Sequence, residues 1–154
     1  METNITGKLY FGHPINTYNN PLKGYHFPFE DWLMARIKGH FPDCIIENPN
    51  QEKHREGYQK WSKEKKNGML YFFEEVLPTC DAGGIFLPFK DGRWGAGVYG
   101  EAEKLAEKGL PIWTINYRGH IEDIPSLEGI IPLSIEETRE RVYYWPERMI
   151  KPYQ

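Results

Sequence analysis

The chain has 154 residues, which reads as one domain over 1–154 with room for a sizeable core. Its 40% hydrophobic and 15% aromatic content, with ten Tyr, eight Phe and five Trp, belongs to a folded protein rather than a disordered one. A net charge of −3 with dispersed lysines and arginines gives no reason to expect a nucleic-acid polymer as partner, and no apolar run reaches the length that spans a membrane.

The first strand candidate is Lys8-Leu9-Tyr10-Phe11, which ends at Gly12 and leads into a loop rich in Asn, Pro and Gly. Phe29 to Lys38 places Trp32, Leu33, Arg36 and Ile37 close to helical spacing and stops before Gly39. Cys44-Ile45-Ile46-Glu47 is a second strand, closed by Asn48-Pro49-Asn50. Gln51 to Lys66 is polar and reads as an exposed helix or ordered loop, and Met69 to Leu77 as a buried helix. Ala82 to Pro88 is the third strand, Pro111 to Ile115 the fourth, and Gly129 to Leu133 a fifth. Ser134-Ile135-Glu136-Glu137 is a capping box that opens a final helix through about Tyr144. The two cysteines, Cys44 and Cys80, are too few for a disulfide framework and are expected as buried free thiols. The N-terminus is polar with no signal-peptide core, so the chain is expected to be cytoplasmic.

Alternation of strands and helices predicts an α/β, flavodoxin-like or Rossmann-like three-layer sandwich with a five-stranded parallel sheet of order 2-1-3-4-5. Parallel strands put the loops after the first three strands on one edge, where open α/β sheets bind ligands. Those loops hold Gly12-His13-Pro14-Ile15-Asn16, Asn48-Pro49-Asn50 and the segment from Asp91 to Glu101. Glu101 follows the glycines of Trp94-Gly95-Ala96-Gly97-Val98-Tyr99-Gly100 and is expected in the first turn of a helix running to Lys108. A carboxylate held there is a candidate nucleophile or general base; the alternative is a simple complement to the helix dipole. His13 is read as a phosphate or base contact, or as a loop histidine bonded to backbone. Asn16 is read as a ligand contact or an Asx turn, Arg93 as a phosphate partner or an exposed arginine, and Trp94 as a stacking platform or a packing residue. Gly95 to Gly100 matches Gly-x-Gly-x-x-Gly formally but follows the third strand, not the first. The histidines share no metal-ligand spacing with the cysteines, so no metal is expected.

The same residues carry a resemblance. Tyr10-Phe11-Gly12-His13-Pro14-Ile15, Cys80-Asp81-Ala82-Gly83-Gly84-Ile85-Phe86-Leu87 and Gly97-Val98-Tyr99-Gly100-Glu101-Ala102 resemble, in order, three motifs of the nucleoside 2-deoxyribosyltransferase superfamily. Gly109-Leu110-Pro111 matches the close of the helix that follows. The likeness covers roughly residues 8 to 115. It implies that Glu101 attacks the anomeric carbon of a nucleoside or nucleoside 5′-monophosphate to form a glycosyl ester, which a second base or water then resolves. It implies that Tyr10 holds the nucleophile and that Asp91 acts as the acid or recognises the base. Gly12, His13, Pro14, Ile15, Asn16, Arg93, Trp94 and Gly97 are the matching candidates for substrate contacts, with no cofactor. The chain departs from the family where its usual Asp falls on Phe73, beside Glu74 and Glu75, and where the loop from Asp91 to Glu101 is longer. A non-catalytic nucleotide-binding or sensing module on the same fold is the alternative. A homodimer or dimer-based oligomer is expected, because Tyr143, Tyr144, Trp145, Met149, Ile150 and Tyr153 crowd a short terminal segment.

Overall fold

A computed structural model describes residues 4–14, 30–65 and 67–144, with the backbone alone at 143–144. Strand β1 (Gly7–Gly12) is followed by α1 (Glu30–His40), β2 (Cys44–Glu47) and α2 (Glu52–Lys65). A single helical segment then changes pitch twice: α3 (Met69–Tyr71) widens into a π turn over Phe72–Val76 and tightens to a 3₁₀ turn over Leu77–Thr79. Next come β3 (Gly83–Phe86), α4 (Ala96–Glu107), β4 (Ile112–Ile115), β5 (Ile121–Ile124) and α5 (Ile135–Tyr144).

The sheet order is β2-β1-β3-β4-β5, as the alternation of elements predicts. Strands β1 to β4 run parallel, but β5 is antiparallel to β4. The fifth strand is therefore not Gly129 to Leu133. Residues 116–120 form a hairpin turn in which the Asn116 side-chain oxygen accepts the backbone N–H groups of Arg118 and His120, and Gly119 adopts φ +76°. This turn sends Ile121–Ile124 straight back along β4, so no crossover intervenes.

Side chains of β1 alternate between two cores, as the two-residue period of a strand requires. Leu9 and Phe11 pack with Leu33, Ile37 and Phe41 on the α1 face. Tyr10 packs on the opposite face with Val98, Ala102 and Leu105 of α4 and with Phe72, Val76 and Leu77. Strand β3 repeats the division, with Ile85 on the first face and Phe86 on the second. Helix α2 is less solvated than its composition suggests, because Tyr58 packs against the second core and His54 is buried. Phe89, Leu133 and Val142 form a small separate cluster. Cys44 and Cys80 are free and buried, and burial pushes the Cys80 thiol up to about 11, which keeps it inert. Among the described residues no helix is long and apolar enough to cross a membrane.

Candidate functional site

The carboxyl ends of β1, β2 and β3 share one edge of the sheet, and a cleft of about 640 Å³ opens there. All three loops singled out from the sequence contribute to it, through His13 and Pro14, through Pro49, and through Ala96, Gly97, Val98 and Glu101. Its size and mixed apolar and polar lining suit a small organic molecule.

Glu101 and Tyr10 lie together in this cleft. Tyr10 points from β1 to the α4 face, and its hydroxyl donates to a Glu101 carboxyl oxygen. The close fit depends on Gly12, because a Cβ there would lie 2.4 Å from the Phe86 ring, and that ring packs 6.1 Å from the ring of Tyr10. Helix α4 starts earlier than its sequence pattern suggests, at Ala96 with Gly95 as N-cap, so Glu101 is in the second turn. The helix-dipole account of Glu101 loses its basis there, since that effect fades beyond the first turn. Glu101 is 5% exposed. Among the described residues Tyr10 is its hydrogen-bond partner, and no cation pairs with it. Burial pushes its carboxyl up to about 8, and the Tyr10 hydroxyl pulls the other way.

His13, 4% exposed, is the second buried polar group on the cleft wall among the described residues. Its Nε2 lies 2.9 Å from Asn48 Oδ1 and 3.1 Å from Glu30 Oε1, and its Nδ1 lies 3.3 Å from the Pro14 carbonyl oxygen. Asn50 braces the cluster, donating its backbone N–H to Asn48 Oδ1 at 3.0 Å and its side-chain amide to Glu30 Oε1 at 2.9 Å.

The remaining sequence candidates divide. Gly97 lines the cleft. Gly12 acts at one remove, as the gap that Phe86 fills. Trp94 is a core residue, its ring tilted against Phe86 and edge-on to Tyr99, with its carbonyl accepting from Leu133 N–H. Asp91 and Arg93 occupy an exposed turn outside the cleft lining. Asp91 Oδ1 accepts the Arg93 N–H at 3.1 Å and Arg141 Nη1 at 2.8 Å, and the Arg141 bond holds its carboxyl below the usual range. A group so held keeps its charge and is ill-suited to donate a proton near neutral pH. Ile15, Asn16 and the terminal segment 145–154 lie outside the described residues, as do the side chains of Tyr143 and Tyr144.

The cleft also takes walls that the sequence reading did not supply. Tyr58 and Ser62 reach it from one face of α2, four residues apart; Met69, Phe72 and Phe73 come from the segment after it. Ile135, Thr138, Arg139 and Val142 come from α5. Thr138 Oγ1 accepts the Ala96 N–H at 2.9 Å, so α5 caps the start of α4. The Tyr58 and Ser62 spacing and the apolar run from Met69 were the available signals. Nothing in the sequence placed α5.

Beneath the α2 wall, His54 bridges two elements. Its Nε2 is 2.6 Å from Glu47 Oε1 and its Nδ1 2.8 Å from the Tyr71 hydroxyl. Both His54 and Glu47 are buried. The network ties α2 and α3 to the end of β2.

Comparison with models of known families, with curated proteins and with solved structures returns no match.

Proposed function

We propose that the chain cleaves or transfers the N-glycosidic bond of a (deoxy)nucleoside or nucleoside 5′-monophosphate, with Glu101 as nucleophile and Tyr10 as its orienting partner. The observation that carries this reading is the Tyr10 hydroxyl on a buried Glu101 carboxyl within a cleft at the carboxyl edge of the sheet. Covalent glycosyl transfer needs a positioned carboxylate shielded from competing water, and a hydrogen-bond donor that stabilises its charged form. The resemblance over residues 8 to 115 points to the same pair. Burial pushes the Glu101 carboxyl up to about 8, so in the free protein a proton competes with the attacking carboxylate near neutral pH.

That same proton favours one competing reading. A neutral Glu101 hydrogen-bonds well and attacks poorly, as suits a module that binds nucleotides without transforming them. The two readings separate on base release. Incubating the protein with a panel of deoxynucleosides, ribonucleosides and their 5′-monophosphates at pH 8, with and without a second free base, and separating products by chromatography, reports hydrolysis and transfer at once. Release of a free base that Glu101→Ala abolishes supports the enzyme. Saturable binding with no release across the panel sinks it in favour of the binding module. The reading extends to a dimer or dimer-based assembly, which light scattering tests directly.

A further inference from the structure

A nucleobase is a poor leaving group as an anion, so the proposed cleavage needs an acid, and the Asp91 turn lies outside the cleft. Glu74 and Glu75, near the position of the family's usual Asp, are exposed on the π turn and absent from the lining. Among the described lining side chains that carry a transferable proton, Tyr10 is committed to Glu101, and phenols such as Tyr58 are weak acids as a class. A guanidinium such as Arg139 does not give up its proton. Imidazole is the side chain that exchanges a proton near neutral pH.

We propose that His13 delivers the proton to the departing base, and that Glu30 and Asn48 are the positioning residues that hold its ring for that step. The inference rests on the N-glycoside reading above. The Asn50 N–H on Asn48 Oδ1 fixes which end of that amide faces His13, so Asn48 Oδ1 and Glu30 Oε1 both meet Nε2 as acceptors and Nε2 carries a hydrogen. A carboxylate behind one ring nitrogen sets the tautomer and orientation and leaves the other nitrogen to exchange its proton with a ligand. That other atom, Nδ1, has a long 3.3 Å contact to the carbonyl of Pro14, itself a lining residue. In the first half-reaction the Glu101 carboxylate bonds to the anomeric carbon, the C–N electron pair leaves with the base, and the Nδ1 proton passes to that base nitrogen. In the second, Nδ1 takes a proton from water as its oxygen attacks the anomeric carbon, and Glu101 departs as a carboxylate. Over the cycle one water is consumed, and free sugar and free base are released.

The test compares two leaving groups in the whole protein. A 2-deoxynucleoside needs protonation at the base; 4-nitrophenyl 2-deoxyriboside releases a stable phenolate and does not. His13→Gln should lower kcat on the nucleoside by about a hundred- to a thousandfold, and on the nitrophenyl substrate by less than about tenfold. Equal losses on both, or no loss on the nucleoside, would overturn the assignment. Parent protein that cleaves neither substrate overturns the N-glycoside reading and this proposal with it, whereas parent protein that cleaves both leaves that reading standing whatever His13 does. Where circular dichroism shows His13→Gln unfolded, the parent's ratio of nucleoside to nitrophenyl rates across pH decides instead. Glu101 contributes to both rates and cancels, so the ratio should fall at alkaline pH, and a flat ratio overturns the proposal. Glu30→Gln should lower kcat on the nucleoside more than on the nitrophenyl substrate, with KM unchanged on both, a split that a merely structural Glu30 would not give.

Discussion

The Tyr10 hydroxyl donates to the Glu101 carboxyl across 91 residues of sequence, joining β1 to the second turn of α4 inside the cleft. The bond opposes the desolvation that raises the Glu101 carboxyl. Tyr10→Phe should therefore slow base release by about ten- to a hundredfold, since a hydrogen bond to a charged group is worth roughly 1.5–3 kcal/mol. It should also shift the rising limb of the kcat/KM pH profile to higher pH. A slower variant with an unmoved limb would mean that Tyr10 does not act through Glu101.

Burial of Glu101 also makes a prediction for stability. The folded carboxyl holds its proton up to about pH 8, while the unfolded one loses it near 4.5. Between those values the folded state binds more protons than the unfolded state, so stability is full below about pH 4.5 and falls as pH rises towards 8. The loss is on the order of a few kcal/mol. Glu101→Gln carries no proton to lose. Urea unfolding at pH 6 and pH 8.5 should show the parent weakening at the higher pH more than the Gln variant, and parallel behaviour would contradict a raised Glu101.

His54 gives a separate pH limb. Burial lowers its pKa, with Glu47 opposing, so below its ordinary 6.5 the unfolded chain binds the extra proton and the fold weakens as pH drops. Lys53 also faces Glu47 from the solvent side, at 3.4 Å. His54→Ala strands the Tyr71 hydroxyl, leaves the buried Glu47 carboxyl to the exposed Lys53, and should cost about 2–4 kcal/mol. Tyr71→Phe should cost about 1 kcal/mol. Thermal unfolding of both variants checks the order.

Asp91→Asn should leave base release within about twofold of the parent and lower stability by less than about 1 kcal/mol, because its pair with Arg141 is partly exposed. A large loss of activity would bring Asp91 back to the chemistry.

Gly12→Ala tests the packing that holds Tyr10. The added methyl meets the Phe86 ring, which is fully buried and cannot swing out. A destabilisation of about 1–3 kcal/mol is expected, with a loss of activity beyond what unfolding explains. An unchanged melting temperature would show that the ring has room to move.

The order of the sheet and the convergence of three loops were legible because β1 to β4 are short apolar runs separated by helical segments. That pattern admits few topologies. The fifth strand was not legible. Ile121-Glu122-Asp123-Ile124 carries two acids on an edge, and edge strands hide their period behind charge. Gly129 to Leu133 looks more like a strand, yet Pro132 removes a ladder donor and the segment stays irregular. At the site, Glu101 stood out because a glycine-rich loop leads into it at the ligand edge of the sheet, and Tyr10 through the resemblance alone. Glu30 and the α5 wall did not, since their meaning comes only from contacts 17 to 42 residues away, such as His13 to Glu30 at 17 and Ala96 to Thr138 at 42.

The reversed fifth strand has a further effect on how the cleft is enclosed. Because β5 runs back along β4, the chain leaves the sheet at the edge opposite the cleft, and residues 125–134 must recross the molecule to deliver α5. They do so with no strand or helix of their own, resting Leu127 and Ile130 on the α4-side core and fastening Leu133 N–H to the Trp94 carbonyl at 2.8 Å. A parallel fifth strand, reached by a crossover helix, would have ended on the cleft's own edge and led straight into α5. The outer wall of the cleft instead hangs on a tether whose bonds can break one at a time. The seating of Thr138 on Ala96 thereby rests on contacts outside the sheet's ladder, the Leu133 to Trp94 bond among them.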